Sequence, residues 1–327
     1  MKVGFRCSEG GASFDEALEQ ATYAEELGFD SVWVAEHHGW DAFWPSSHLA
    51  LAGIATRTDS IELGTSVLLL PQANPVRLAG EVALLDRLSE GRFTLGVGVG
   101  WRRSEMENLG FDYETRGPRM TEHLAVLREL WRNDVTTFEG EFVTLEEFEL
   151  SPKPVQEPHP PVWVGGDVDA ALKRAANLGD AWLPVWRMAV DEVADRYDRY
   201  ESYLADAGVD PAERTRPLLR TAWIAEDADA AREEMIAMFR RLIDTYRSMG
   251  AAPYDELERA LERNFDAFAD ERFVYGTPAD CVRQLERYRR DLGVDHVILK
   301  LANPGVSHDQ VLRFLELFGD DVLPAVH

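Results

Sequence analysis

The chain has 327 residues, of which 45% are hydrophobic, so it can bury a large core as one big domain or two small ones. No stretch approaches the roughly 20 consecutive apolar residues that a membrane-spanning helix needs. The first residues have the composition of a strand and not that of a signal peptide. Two cysteines, Cys7 and Cys281, form no disulfide framework, so we expect a cytoplasmic protein.

The charge balance is strongly acidic, with a formal net charge of -25 and a pI near 4.7. Nucleic-acid binding requires a basic surface, and an anionic membrane would repel this one, so both partners are excluded. An acidic mesophilic enzyme would fit this composition. We favour a halophilic protein of a salt-rich cytoplasm, where concentrated salt screens the self-repulsion of such a surface.

Eight short apolar runs, rich in Val, Leu and Ile, predict strands, and most lack a strict alternation of polar and apolar residues. This pattern is typical of parallel strands that are covered on both faces. The predicted strands are Lys2–Cys7, Ser31–His37, Ile61–Leu70, Phe93–Gly100, Val162–Gly166, Ala181–Val185, Leu218–Ala225 and His296–Leu301.

Amphipathic helical stretches separate these strands, and the alternation favours a single α/β domain over residues 1–327, a (β/α)8 TIM barrel. The predicted helices include Phe14–Leu27, Val76–Leu88, Met120–Trp131, Val168–Asn177 and Ala279–Leu292. Two insertions exceed a minimal barrel. Residues 133–161 predict a hairpin with a proline-rich connection, and residues 227–273 predict a helical pair that forms a substrate lid.

Ionisable side chains end the second predicted strand, at Glu36, His37 and His38. Parallel barrels place their chemistry at the carboxyl ends of the strands, and imidazole exchanges protons near neutral pH. If His37 and His38 were both in a strand, they would point to opposite faces and could not chelate one metal ion. We therefore expect no metal site.

The other predicted strand ends are rich in glycine and tryptophan, which suits a planar aromatic cofactor. Gly96, Gly98 and Gly100 do not have the spacing of a dinucleotide fingerprint, because Trp101 follows where a later glycine is needed. Gly165 and Gly166 open a helix that could bind a phosphate, or they form a tight turn in which Asp167 caps the helix. Lys300 also lies at this rim, where a Schiff-base lysine remains an alternative to a surface or counter-charge residue.

Several motifs in order along the chain resemble the bacterial luciferase-like flavin-dependent oxidoreductases. They are Glu36-His37-His38, the run from Gly64 to Pro71, Asn74-Pro75-Val76, the run from Leu85 to Phe93, Pro152-Lys153-Pro154, the run from Pro160 to Gly166, the run from Leu178 to Trp182, and Gly276-Thr277-Pro278. The resemblance covers nearly the whole chain and implies no particular substrate.

The resemblance implies reduced FMN, or the deazaflavin coenzyme F420, at the carboxyl ends of the strands. It makes His37 the catalytic histidine, puts a non-prolyl cis peptide at Ser66-Val67, and puts the phosphate loop at Gly165 and Gly166. We expect Glu36 to assist His37, and either Glu36 or the Ser66 hydroxyl to hold its tautomer. The expected cofactor contacts are Ser66, Val67, Gly98, Gly100, Trp101, Gly165, Gly166 and Asp167. The expected substrate pocket contains Trp40, Phe43, Trp44 and Trp186.

Two departures from the F420 members of the family favour FMN. Glu36 stands where those members usually have an aspartate before the histidine, and Trp101 stands where their sugar and alcohol dehydrogenases have a glutamate. Val99 stands where the luciferase proper has an arginine for the flavin phosphate, and Arg102 or Arg103 is the alternative phosphate ligand. We therefore expect a monooxygenase that uses reduced FMN and oxygen on a small organic substrate. The alternatives are an F420-dependent oxidoreductase and a non-catalytic flavin-binding protein. The resemblance also implies a homodimer through the helices after the second and third strands, and a partner flavin reductase.

Overall fold

The computed structural model describes residues 1–7, 13–39, 43–250, 254–301 and 305–327, without the side chains of residues 255 and 256. Strands within these ranges are β1 Lys2–Arg6, β2 Ser31–Val34, β3 Glu62–Thr65, β4 Leu68–Leu69, β5 Phe93–Gly98, β6 Thr136–Glu139, β7 Thr144–Phe148, β8 Val162–Gly165, β9 Ala181–Leu183, β10 Pro217–Ile224, β11 Phe273–Gly276 and β12 His296–Lys300.

Several helices begin at side chains that cap them. Ser13, Thr277 and Ser307 each form a capping box with the third residue of their helix, and Asn74 caps a helix whose first residue is proline. The α-helices are α1 Phe14–Glu26, α2 Ser47–Ala55, α3 Pro75–Leu88, α4 Arg103–Asn108, α5 Arg116–Arg132, α6 Asp169–Leu178, α7 Val190–Asp206, α8 Ala228–Ser248, α9 Tyr254–Arg263, α10 Phe265–Asp270, α11 Pro278–Leu292, α12 His308–Asp321 and α13 Leu323–Val326. Short 3-10 helices cover Leu70–Gln72, Tyr113–Thr115 and Pro211–Glu213.

The chain divides into two compact units. The first contains Met1–Trp33, Pro184–Asp198 and Thr215–His327. Its strands are all parallel, in the order β11, β10, β12, β1, followed by the start of β2. Strand β12 is buried along its entire length, as expected for an apolar run without alternation.

The second unit contains Val34–Leu183 and Arg199–Arg214. Strands β3, β5, β8 and β9 lie side by side in parallel, and the short β4 also pairs with β5. Strands β6 and β7 form a separate antiparallel hairpin inside the predicted insertion 133–161.

All eight predicted strands are present, with three differences. The second ends at Val34 and not at His37, so the residues of the histidine pair lie beyond the strand. The third is interrupted at Ser66 and Val67, whose peptide bond is cis. A ninth parallel strand, β11, follows the helices of residues 227–273 and pairs with β10, and no strand was predicted there. No described helix is both long and apolar enough to cross a membrane.

Candidate active site

His37 lies in the loop after β2 and is held by a carboxylate from another element. Its Nδ1 is 3.0 Å from Glu105 Oε2 and 3.3 Å from Oε1. Glu105 lies on α4, and its side chain is fully buried. When Nδ1 carries the proton and donates to this carboxylate, Nε2 of the neutral imidazole is unprotonated. Glu105 is therefore the partner of His37 Nδ1, the position for which Glu36 or Ser66 was expected.

Aromatic side chains surround the His37 imidazole. The Phe43 ring centroid is 4.7 Å away and the Trp101 centroid is 6.0 Å away, both edge to face. The Tyr113 hydroxyl donates a hydrogen bond of 3.0 Å to the Trp101 carbonyl, which holds the loop of Trp101 in place. His37 is only 8% exposed, so these rings leave its imidazole little contact with water.

The Glu36 carboxylate connects three segments of the second unit. Its Oε2 accepts hydrogen bonds from the backbone N–H and the hydroxyl of Ser47, at the start of α2. Its Oε1 accepts from the N–H of Leu69, in β4. Burial alone would raise the pKa of Glu36, but the hydrogen bonds from His38, Ser47 and Leu69 outweigh it and lower the pKa. These contacts give Glu36 a positioning function in the loop that carries His37.

His38 contacts a different carboxylate from His37. Its Nε2 is 3.6 Å from Glu36 Oε1, and its backbone N–H donates to Glu105. The hydrogen bond to Glu36 raises the pKa of His38 above its ordinary value, against the opposing effect of burial. The two imidazoles thus contact different carboxylates, and both residues lie in the loop beyond β2.

The cis peptide at Ser66-Val67 agrees with the expectation from the sequence. Val67 packs against the ends of two adjacent strands, because a Cβ at Gly98 would lie 2.7 Å from Val67 Cγ2 and one at Gly165 would lie 3.4 Å from Val67 Cγ1. Ser66 is 4% exposed, and its N–H donates a hydrogen bond of 2.8 Å to the Val34 carbonyl. The structure therefore brings Ser66, Val67, Gly98 and Gly165 together, and the glycines leave room for Val67.

The turns near Gly100 and Gly166 have backbone conformations that favour glycine, with φ of +76° and +143°. The predicted cap of α6 was wrong, because Val168 holds the N-cap position and no side chain caps the helix. Asp167 precedes this cap. Asp169, in the first turn, pairs with Arg199.

The remaining predicted pocket residues are distributed differently. The Trp44 carbonyl accepts a 3.2 Å hydrogen bond from the His37 N–H, so Trp44 supports the loop of His37 through its backbone. Trp186 belongs to the first unit, where it contacts Tyr246 and lies beneath the Lys300 ammonium. Trp40 lies outside the described residues.

A cleft of about 370 Å³ in the second unit lies beside Glu36 and His38. His48 and Glu81 face each other there at 3.2 Å, and Glu81 also pairs with Arg77. Among the residues that the structure describes, no three histidine, cysteine or carboxylate side chains form a group that could hold a metal ion.

Glu105 is the site residue that the sequence analysis missed. A glutamate was sought directly after Gly98-Val99-Gly100, where Trp101 stands, whereas Glu105 comes four residues later in the same segment. The acidic residue in the first turn of a short helix after a strand end was the available signal.

Comparisons with known proteins agree with this geometry. A family model described as luciferase-like monooxygenase matches residues 2–296. An F420-dependent glucose-6-phosphate dehydrogenase of Amycolatopsis mediterranei is 29% identical, over 99% of this chain and 98% of that protein. The oxygenase component of a flavin-dependent trigonelline monooxygenase of Acinetobacter baylyi is 26% identical, over 95% of this chain and 89% of that protein.

Among solved structures, the monooxygenase RslO1 from Streptomyces bottropensis superposes with a TM-score of 0.87 at 25% identity, with both chains covered completely. An F420-dependent secondary alcohol dehydrogenase superposes with a TM-score of 0.81 at 24% identity, over 100% of this chain and 99% of that one. These matches confirm the predicted α/β fold of the luciferase-like TIM-barrel type.

Proposed function

This chain belongs to the luciferase-like monooxygenase family, whose relatives compared above include F420- and flavin-dependent oxidoreductases, and we propose that it acts on a small organic substrate with reduced FMN. The observation that carries this proposal is the buried His37–Glu105 pair, together with the Val67 surface at the carboxyl ends of β5 and β8. The pair supplies a proton donor and acceptor, and that surface suits a planar ring.

The surface formed by Val67, Gly98 and Gly165 fits such a ring. Gly165 is half-buried and has no side chain, and Val67 presents methyl groups between the ends of β5 and β8. Flat apolar walls with few polar groups are what a planar cofactor requires. Gly166 and the first turn of α6 offer backbone N–H groups for the cofactor phosphate. The pairing of Asp169 with Arg199 offsets one of the two acidic charges there.

Reduced FMN supplies the electrons with which oxygen is activated for insertion into a substrate. His37 gives or takes the proton at Nε2 during this reaction. Glu105 fixes the Nδ1–H tautomer and stabilises the imidazolium when Nε2 is protonated. The rings of Phe43 and Trp101 keep water from the imidazole, which protects a reactive oxygen species from loss to solvent.

The monooxygenase function is favoured by the aromatic rings around His37. It is also favoured by Trp101, which stands where F420-dependent sugar and alcohol dehydrogenases have a glutamate. The full-length likeness to the monooxygenase RslO1 also supports it. A second candidate, an F420-dependent oxidoreductase, is favoured by the 29% identity to the glucose-6-phosphate dehydrogenase. In that case His37 exchanges a proton with the substrate, and oxygen has no part in the reaction.

Cofactor titration followed by oxygen measurement tests the proposal. The protein is titrated with reduced FMN and with F420, and binding is followed calorimetrically. Oxygen uptake is then recorded with reduced FMN, supplied by a reductase, and a panel of small organic substrates. We expect tighter binding of reduced FMN and oxygen uptake linked to product formation.

If the protein binds F420 more tightly than reduced FMN, and an alcohol or sugar donor bleaches F420 anaerobically, the F420-dependent oxidoreductase would replace the monooxygenase as the proposed function. Binding without turnover in both assays would indicate a non-catalytic flavin-binding protein.

We also propose a homodimer through α2 and α3. Leu49 on α2 is 69% exposed, and Leu84 and Leu88 on α3 are 52% and 45% exposed. These leucines line a shallow apolar depression of about 200 Å³, and burial against a second copy would remove them from water. In light scattering after gel filtration we expect a dimer for the wild type and a monomer for Leu84→Glu. A monomeric wild type would contradict the proposal.

A further inference from the structure

Two cations and a hydroxyl lie in one row across three adjacent strands of the first unit. Arg6 is the last residue of β1, and it pairs in register with Lys300, the last residue of β12. Lys300 in turn pairs in register with Thr221 of β10. Register partners in parallel strands project from the same face, so these three side chains are neighbours, with strands about 4.8 Å apart.

All three side chains are removed from water. Arg6 is 4% exposed, Lys300 is 1% exposed and Thr221 is 0% exposed. A guanidinium is always protonated, so Arg6 brings a positive charge to the row. Two cations on adjacent strands are close enough for both to bind oxygens of one carboxylate or phosphate.

Thr221 provides an independent indication of a ligand. Its Oγ1 is fully buried and has no hydrogen-bond partner within the part of the chain that the structure describes. Buried hydroxyls are nearly always hydrogen-bonded, so this one calls for an acceptor from outside the protein. Thr221 is the register partner of Lys300, so its hydroxyl can donate to an anion that Lys300 also binds.

Aromatic faces line the Lys300 side of the row. Its Nζ is 4.4 Å from the ring centroid of Trp186 and 5.4 Å from that of Tyr246. The faces of such rings attract an ammonium and so hold the Lys300 side chain in the row. Trp186 and Tyr246 are each 7% exposed, and they contact each other at 6.2 Å.

We propose that Arg6, Lys300 and Thr221 form a subsite for one oxyanion, a carboxylate or a phosphate group. The subsite lies at the carboxyl ends of parallel strands, the edge at which α/β barrels bind their ligands. The inference rests on the proposed function to the extent that the anion belongs to the substrate or to the cofactor. If the anion is part of the substrate, the subsite limits the substrate class to organic anions.

Anion binding is tested without turnover, so that it does not depend on the proposed reaction. Inorganic phosphate is titrated calorimetrically into the wild type and three variants at constant ionic strength. Thr221→Val removes the hydroxyl at nearly constant shape, and Lys300→Met removes the charge. Lys2→Met, at the opposite end of β1 from Arg6, is the matched charge control. Thermal unfolding checks that each variant folds.

We expect saturable phosphate binding by the wild type and by Lys2→Met. Loss of a hydrogen bond to a charged group predicts binding about tenfold weaker in Thr221→Val, and Lys300→Met should lose more. Absence of saturable binding in the wild type, or equal affinity in Thr221→Val and the wild type, would overturn the proposal. The Thr221 variant decides the matter even when Lys300→Met fails to fold.

A second arm identifies the source of the anion. FMN and riboflavin, which lacks the phosphate, are compared as ligands of the wild type and Thr221→Val. If the subsite receives the cofactor phosphate, the variant weakens FMN binding alone and inorganic phosphate competes with FMN. If it receives a substrate anion, phosphate also binds to the FMN-loaded protein. The proposed function fails separately, through absence of flavin binding or turnover, while phosphate binding persists.

Discussion

His37 depends for its orientation on a carboxylate that lies 68 residues away in the chain. Glu105 accepts from the imidazole and from the His38 backbone N–H, so a single buried carboxylate fixes both the tautomer and the loop. An imidazole held in this way keeps one tautomer and one orientation, which general acid–base catalysis requires.

Replacing His37 by Ala should lower turnover by about 10²–10⁴-fold while leaving cofactor affinity nearly unchanged. The reason is that His37 moves a proton, whereas the Val67 surface binds the ring. Steady-state kinetics and cofactor titration measure the two effects separately. The matched control is His48→Ala, because His48 is an imidazole on α2 that pairs with Glu81. This variant should retain activity.

Glu105→Gln separates positioning from catalysis in the same assay. The amide retains hydrogen-bonding capacity but cannot stabilise an imidazolium, so the pH profile of turnover should shift as well as the rate. Turnover that is unchanged in His37→Ala would refute the catalytic assignment of the histidine.

The Glu36–His38 pair should make stability depend on pH. The folded pKa of His38 is raised, so its contribution is complete below its ordinary value of 6.5 and is lost as pH rises through the folded pKa. The folded pKa of Glu36 is lowered, so its contribution is complete above its ordinary value of 4.5 and is lost as pH falls through the folded pKa.

His38→Gln should therefore destabilise the protein most between pH 4.5 and 6.5, with little effect in alkaline solution. We expect a loss of not more than about 1 kcal/mol, because His38 is partly exposed. Urea unfolding of both proteins across this range measures the difference. A destabilisation that is independent of pH would show that the side chains are not coupled as an ion pair.

At the scale of elements, the ends of β5 and β8 are shaped by glycine. Gly98 and Gly165 leave the space that Val67 occupies after the cis peptide, so the loop between β3 and β4 and the two strand ends form one surface. The tight packing of this surface makes it sensitive to a single methyl group.

Gly98→Ala should destabilise the fold by about 1–3 kcal/mol, because its Cβ would overlap Val67 Cγ2. Chemical unfolding measures the change, and Val67→Ala in the same chain should recover much of the loss. Gly80→Ala is the matched control. Its Cβ would meet only Leu150 Cδ1, at 3.8 Å, in the interior of α3. There alanine should stabilise the protein by about 0.5–1 kcal/mol. Equal effects of the two substitutions would contradict the packing argument.

At the scale of the whole molecule, the formal net charge of -25 dominates the behaviour expected in solution. Self-repulsion at low ionic strength destabilises a compact acidic protein, and salt screens it over a Debye length of about 3 Å at 1 M. The midpoint of thermal unfolding should rise steeply from dilute buffer to molar KCl. Sucrose, a neutral solute, should give a much smaller rise, and a flat response to KCl would rule out salt adaptation.

The sequence by itself determined the alternation of strands and helices, the family, the cis peptide position and the candidacy of His37. The alternation follows from apolar runs and helical periodicity, whereas the cis peptide position and the choice of His37 follow from the resemblance that the motifs carry. The hairpin at Thr136–Phe148 followed from a glycine turn between strand-like runs.

Only the tertiary structure decided that Glu105 is the partner of His37, that Glu36 connects Ser47 with Leu69, and that Arg6, Lys300 and Thr221 share one row. It also showed β11, whose short run ends a helical segment and has no strong pattern of its own. The physical reason is the same in each case. Hydrogen bonds and strand register between distant segments depend on how the chain packs, and no local spacing encodes them.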